Sequence, residues 1–247
     1  MGTSASDYSD YRAFCKQAAT NDIIFGGFRR SYIYTEILEH VTENQGGQYL
    51  ECIIKKMGQN ALQEISYVDD VGKPCLFFYQ KYGSWSPTTL RYVKVMLDLI
   101  ENFGPLFNLD ILEVGGGYGG QCNIIKHFFQ DVKYSIYDLP EPLMLTEKFL
   151  NCFDRSANLC NALEEIKESE CDIFISNYAL SELNQEIQDE YLDKIIPNSN
   201  HGYITYNRFD NSYPVEEFYQ KLQKIHKNCR KFQEYPLTFK ENEIIIW

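Results

Sequence analysis

The stretch "DILEVGGGYGGQ", Asp110–Gln121, sets five glycines within six positions, after an apolar run and before a helix-like segment. That order describes a strand running through a bare turn into a helix, the turn of an α/β sheet that faces a ligand. Glycine tolerates positive φ and lets a ligand approach the backbone closely. The helix start offers free N–H groups and partial positive charge. Glu113, an acid just ahead of the loop, needs an explanation of its own.

The flanking sequence fits such a sheet. "SPTTLRYVKVMLDLIENFG" reads as a helix with Ser86 as N-cap, Pro87 in its first turn and Gly104 as its stop. After it, the strand patterns "LDILEV", "VKYSIY", "ANLC", "CDIFIS" and "GYITYN" alternate with the helix patterns "GGQCNIIKHFFQ", "EPLMLTEKFLNCF", "ALEEIKE" and "LNQEIQDEYLDKII". This alternation predicts a parallel sheet with helices on both faces. A further helix, "PVEEFYQKLQKIHK", precedes "RKFQEYP" and "NEIIIW". No helix fits between these last two, so they form a hairpin and the sheet ends on an antiparallel strand. Residues 1–85 differ in texture. "YIYTEILEHV" has Ile33, Ile37, Leu38 and Val41 near helical spacing, Gly26, Gly27, Gly46 and Gly47 read as breaks, and "CLFFYQ" is the one strand candidate. This part is expected to be a helical N-terminal cap on a core of residues 86–247.

Composition narrows the function classes. Lys and Arg total 23 against 35 Asp and Glu, a formal charge of -12, which disfavours a nucleic-acid partner. No apolar run approaches the roughly 20 residues of a membrane span. The polar N-terminus does not resemble a secretory signal, although Gly2 with Ser6 fits a myristoylation pattern. The eight cysteines lack any Cys-x-x-Cys pair, so reduced thiols in a cytoplasmic protein are expected rather than zinc or disulfides. No Asp/His cluster has metal spacing. The 19 tyrosines suit carbohydrate sites but equally suit cores.

Two cofactor readings compete for the loop. Gly115, Gly117 and Gly120 satisfy the dinucleotide pattern G-x-G-x-x-G. Glu113-x-Gly115-x-Gly117-x-Gly119 satisfies the acid-plus-glycine loop of S-adenosylmethionine enzymes. Glu113 favours the second, since a carboxylate attracts an ammonium and repels a pyrophosphate. Asp138, at the end of the next strand, suits two ribose hydroxyls under either reading. Asn161 and Ala162 stand where an adenine would lie, and Asn161 is equally well explained as a cap of the following segment.

Taken together, "SPTTLRY", "ILEVGGGYGGQ", "YDLPEP" and "SNYALSEL" resemble the sugar O-methyltransferase family, a branch of the class I S-adenosylmethionine-dependent methyltransferases. The resemblance implies an α/β, Rossmann-like sheet with a C-terminal antiparallel hairpin under a helical cap. It implies methyl transfer from S-adenosyl-L-methionine, leaving S-adenosyl-L-homocysteine, to a sugar in surface polysaccharide synthesis. The candidate cofactor residues are Glu113, Gly115, Gly116, Gly117, Tyr118, Gly119, Gln121, Asp138, Leu139, Asn161, Ala162 and Asn177, with Ser86, Thr88 and Arg91 from "SPTTLRY". Gly116 departs from the common loop, which has a variable residue there. A homodimer is compatible with all of this.

A sugar hydroxyl is a weak nucleophile, so methyl transfer needs a base at the carboxyl ends of the strands. Glu182, in "SNYALSEL", leads, with Tyr178 beside it; Ser181 and Glu182 also read as a simple helix start. His40 in the cap is the alternative. His127, His201 and His226 fall at the wrong places in their elements. Tyr82, Tyr206, Asn207 and Arg208 are candidates for the acceptor, Arg208 as a phosphate ligand or else as a surface ion pair. Three rivals remain open: a phosphorylated, phosphoramidate or amine acceptor with the same cofactor; a nicotinamide-dependent oxidoreductase or epimerase; and a cofactor-binding partner without turnover. The oxidoreductase reading lacks a Tyr-x-x-x-Lys pair.

Overall fold

The computed structural model describes residues 9–164, 166–208 and 212–247; Gly2 and Ser6 lie outside them. The cap begins with α1 (Ser9–Thr20) and α2 (Asp22–Phe25), followed by α3 (Tyr32–Ile37) and α4 (Glu43–Gln63). Ser31 caps α3, and Thr42 and Gln45 form a reciprocal capping box at the start of α4. A small hairpin follows, β1 (Phe77–Tyr79) with β2 (Gly83–Trp85).

Gly26 and Gly27 do interrupt the helices, but Gly46 and Gly47 lie within α4. The reason at Gly46 is packing: a Cβ there would stand 2.1 Å from the Tyr79 hydroxyl and 3.0 Å from Pro87. The actual kink of α4 is at Gly58, with φ 79°.

The core opens with α5 (Pro87–Phe103), capped by Ser86 and stopped by Gly104 at φ 88°. Then come β3 (Asp110–Val114), α6 (Gly120–Phe128), β4 (Lys133–Asp138), α7 (Pro140–Asn151), β5 (Asn158–Asn161), β6 (Cys171–Asn177), α8 (Ala179–Glu182), α9 (Gln185–Lys194), β7 (Ser199–Tyr206), α10 (Val215–Ile225), β8 (Arg230–Gln233) and β9 (Glu243–Ile246). Seven strands form one sheet in the order β5-β4-β3-β6-β7-β9-β8. Neighbours from β5 to β7 are parallel; β9 runs antiparallel to both β7 and β8. This is the Rossmann-like sheet with a terminal hairpin that the resemblance implies. The chain winds outward from β3 through β4 to β5, then returns to β6 on the other side of β3. The switch point thus lies between β3 and β6, where an open α/β sheet binds its ligands.

One expected helix is missing. Among the described residues of "ALEEIKE", 162–164 form a turn and 166–168 are irregular. The Asn161 side chain accepts the N–H of Leu163 at 3.0 Å, an Asx turn that competes with helix formation. Ile166 is buried while Leu163 is 60% exposed, so the segment has no continuous apolar face to hold a helix.

The cap and the sheet share one core. Tyr11, Phe28, Tyr34 and Ile53 of the cap cluster with Leu90, Tyr118, Ile136 and Phe149. A second cluster, with Phe174, Tyr191, Ile204 and Phe218, fills the opposite face of the sheet. Arg29, fully buried, ties the cap to α5. It pairs with Glu39 at 2.5 Å and Asp69 at 3.1 Å, and donates to the hydroxyls of Ser86 and Thr89.

Candidate active site

A cavity of about 860 Å³ opens at the carboxyl ends of β3, β4, β6 and β7, a volume suited to a ligand of nucleoside size or larger. The glycine loop forms its floor. Gly115 and Gly117 adopt φ of 78° and 57°, the left-handed region that glycine enters freely. Packing constrains both as well. A Cβ on Gly115 would lie 1.9 Å from that of Ala179, and one on Gly117 would lie 2.9 Å from Leu38 of the cap. Side chains at these positions would collide with the cavity walls.

Glu113 ends β3 at the back of this floor and is 2% exposed. Burial pushes its carboxyl pKa up to about 8, against the opposing hydrogen bond of Tyr134; Asp138 raises it further. Tyr134 Oη donates to Oε2 at 3.0 Å. Among the described residues, none of the groups acting on Glu113 is a cation. Asp138 ends β4 and is pushed up to about 6, also chiefly by burial, while two backbone bonds hold it down. Those donors are the N–H groups of Gly117, at 3.0 Å, and Leu139, at 2.7 Å.

The first turn of α5 brings Arg91 to the same cavity. Its guanidinium stacks on Tyr92 and Tyr178, with centroid distances of 5.6 and 5.3 Å. Nη2 points toward the Leu38 carbonyl at 3.5 Å, and Nη1 is buried without a hydrogen-bond partner among the described residues. Leu139, Ala162, Asn177 and Gly116 also line the cavity.

The remaining cofactor candidates lie elsewhere. Tyr118 is buried in the aromatic core, 4.7 Å from Phe149 and 5.6 Å from Phe28 by ring centroids, under the Arg29 guanidinium. Gly119 is the left-handed N-cap of α6 and packs against Thr146 and Leu150. Gln121 is buried and donates to the Tyr92 carbonyl. Ser86 caps α5 and bonds Arg29, and Thr88 donates to the Leu38 carbonyl. Asn161 makes its Asx turn outside the lining, leaving Ala162 and Leu163 there. Of these, Tyr118, Gly119 and Gln121 belong to or adjoin the loop in sequence but turn into the core.

Glu182, His40, Tyr178, Asn207 and Arg208 converge on the cavity from three segments. Asn207 Nδ2 donates to Glu182 Oε1 at 3.3 Å. His40 stands exposed at the rim; the surrounding wall and then the Arg91 charge push its pKa down and favour the neutral imidazole. Tyr178 has φ 70°, a strained conformation for a non-glycine residue, and its hydroxyl donates to Glu234 at 2.5 Å. Arg208 is largely exposed and pairs with Glu241 at 3.3 Å. Tyr206 is buried away from the cavity, bonded to Gln188 and the Tyr213 carbonyl, and Tyr82 also lies outside the lining.

The other histidines are elsewhere, as their positions in the sequence suggest. His127 meets Tyr67 and Arg155, His201 stacks on Phe103, and His226 stacks on Trp247. Among the described residues no group of three or more His, Cys, Asp or Glu is placed to hold a metal ion, and no helix is long and apolar enough to cross a membrane.

Several lining residues carry no sequence signal. Tyr11, Arg12, Ile37 and Leu38 come from the cap, and Thr238, Phe239 and Asn242 from the connection between β8 and β9. Only the fold brings them to the glycine loop. Arg12 pairs with Glu141 at 2.9 Å, joining α1 to α7 beside the opening. Tyr137 and Leu163 were the more accessible, since each adjoins a residue picked from its pattern.

No family model and no curated protein matches this chain. Similar solved structures include a methyltransferase from Galdieria sulphuraria, at 14% identity and TM-score 0.46, covering 59% of this chain and 66% of that one. Another is an S-adenosylmethionine-dependent methyltransferase from Clostridium acetobutylicum, at 12% identity and TM-score 0.49, covering 62% and 87%. A third is a methyltransferase from Pyrococcus furiosus, at 13% and 0.47, covering 76% and 97%. The chain thus spans just under two-thirds of the first of these.

Proposed function

We propose that the protein is an S-adenosylmethionine-dependent methyltransferase acting on a hydroxyl of a small polar acceptor, a sugar in the reading that the sequence resemblance favours. The observation that carries the cofactor is Glu113. A carboxyl buried at the switch point, its pKa raised and no cation beside it among the described residues, is costly to ionise unless a ligand brings positive charge. The methionine part of S-adenosylmethionine carries an ammonium; a dinucleotide pyrophosphate would add negative charge instead.

The rest of the chain fits the same group. Arg91, with Nη1 buried and without a hydrogen-bond partner among the described residues, is suited to the cofactor's carboxylate. Asp138 accepts two backbone bonds and has lone pairs left for ribose hydroxyls. Leu139, Ala162 and Leu163 offer an apolar wall for the adenine. Bound S-adenosylmethionine supplies an electrophilic methyl group on a sulfonium sulfur.

The protein's own task is then to align the acceptor oxygen and take up its proton. Glu182 is our choice for the proton, held by Asn207 at the cavity wall. His40, neutral at the rim, is the alternative. Both belong to the polar side of the cavity with Asn207 and Asn242, which supports a hydroxylated acceptor. The surface-polysaccharide setting rests on the resemblance alone.

Calorimetric titration with S-adenosylhomocysteine and, separately, with NADH tests this. Micromolar binding of the first alone is expected. Binding of NADH alone would overturn the cofactor assignment.

A further inference from the structure

The connection between β8 and β9 is organised around one carboxylate. Glu234, 5% exposed, accepts from Tyr178 Oη at 2.5 Å, the Thr238 N–H at 2.9 Å, Thr238 Oγ1 at 2.6 Å and Asn242 Nδ2 at 3.0 Å. These bonds fix the orientation of the Asn242 amide. Nδ2 donates both to the carboxylate and to Thr238 Oγ1, at 2.8 Å. The flipped amide would set its oxygen against a carboxylate oxygen, acceptor against acceptor.

Asn242 Oδ1 is therefore the free end. It is buried without a hydrogen-bond partner among the described residues, in a residue only 2% exposed that lines the cavity. A buried amide oxygen left without a donor is unfavourable, and its complement is an O–H or N–H group. Three positions away Phe239 also lines the cavity and is 65% exposed. A large aromatic ring left open beside a buried acceptor is an amphipathic surface. Of the charged members of the connection, Glu234 is turned to its own four bonds, and neither it nor Lys240 nor Glu241 lines the cavity. The ligand that matches has a hydroxyl edge, a C–H face and no charge of its own at this end, which is the chemistry of a pyranose ring.

We infer that residues 238–242 form the acceptor subsite for a sugar ring: Asn242 Oδ1 accepts one ring hydroxyl, and Phe239 covers a C–H face. This rests on the methyltransferase reading for its function, since the subsite must share the cavity with the cofactor. It assigns acceptor choice to the C-terminal hairpin, apart from Glu182 and His40.

The test uses the full chain saturated with S-adenosylhomocysteine. The probes are the methyl α-glycosides of glucose, galactose and mannose, and UDP-glucose as a nucleotide-activated form. Saturation-transfer NMR reads contact with the ring C–H protons. At least one probe is expected to respond. Asn242→Ala, by loss of one hydrogen bond, and Phe239→Ala should each weaken the response about tenfold, with S-adenosylhomocysteine affinity within about twofold of wild type. Phe239→Ala leaves the Glu234 bonds intact, so it reports even if Asn242→Ala loosens the connection. A response to methyl glycosides supports a free or glycan-linked ring, and one to UDP-glucose alone supports an activated sugar. Cofactor binding with no response from any probe, or a response unchanged in both variants, would overturn the subsite. Failure of the wild type to bind S-adenosylhomocysteine would instead overturn the methyltransferase reading, and the glycosides added to that same sample would still read the subsite.

Discussion

On the proposed reading, Glu113 should make ligand binding a proton-coupled event. Its carboxyl is held at about 8 rather than at the usual 4.5, so at pH 7 about nine-tenths of the free protein carries a proton there. A ligand ammonium beside it favours the carboxylate, and the proton must leave. Titration with S-adenosylhomocysteine at pH 7 in two buffers of different ionisation enthalpy should therefore show release of about 0.9 proton, falling to about a quarter at pH 8.5. Affinity should improve about tenfold per pH unit up to 8 and then level off. Asp138, pushed up to about 6, is about nine-tenths ionised at pH 7 and adds little. Stability of the free protein runs the opposite way. The folded state holds the Glu113 proton through a range in which the unfolded chain has lost it. Stability is thus greatest below about pH 4.5 for this group and is lost toward pH 8, by about 1.4 kcal/mol per unit. Glu113→Gln should flatten that slope and abolish ligand binding. Binding with no proton release at pH 7 and a flat affinity profile would refute the reasoning, because it would mean that Glu113 is already ionised or does not meet the cation.

Glu182→Gln should lower turnover by about 10²–10⁴-fold while S-adenosylhomocysteine affinity, read by calorimetry, stays the same; retained turnover would pass the base role to His40 and call for His40→Gln. Gly115→Ala should lose cofactor binding, since its methyl would stand 1.9 Å from Ala179 at a φ of 78°; circular dichroism separates this from global unfolding. Arg29→Leu leaves Glu39 and Asp69 buried without their cation and should cost about 3–5 kcal/mol in denaturant unfolding. Tyr206→Phe, away from the cavity, should leave S-adenosylhomocysteine affinity unchanged.

The sheet was legible because its signals are local. Strands β3, β4, β6, β7 and β9 carry β-branched residues, β5 falls in the helix–strand alternation they set, and the final pair had no room for a helix between them. The "ALEEIKE" segment misled because helix propensity there is opposed by the Asx turn of Asn161 and by the lack of an apolar stripe. Within the glycine loop, sequence pattern does not separate residues that face the cavity from those that face the core. Gly115 and Gly117 floor the cavity, whereas Tyr118, Gly119 and Gln121 turn inward, and the identity of their neighbours was decided by α5, α7 and the cap. Leu38 and Phe239 were invisible for a different reason: each reaches the cavity only through tertiary packing across long stretches of chain.

The Arg29 knot bears on how a ligand enters. Its guanidinium, wholly inside, is bonded at once to Glu39 on the cap side and to Ser86 and Thr89 at the start of α5. Leu38 and His40, the residues flanking Glu39, line the cavity together with Ile37, Tyr11 and Arg12 of the cap. Swinging that roof away would pull a charge from its counter-ion in a dry interior, a motion opposed by several kcal/mol. The roof is therefore expected to stay in place. Exchange is then expected along the rim, past the exposed Leu163 and Phe239, through side-chain rotation rather than a hinge.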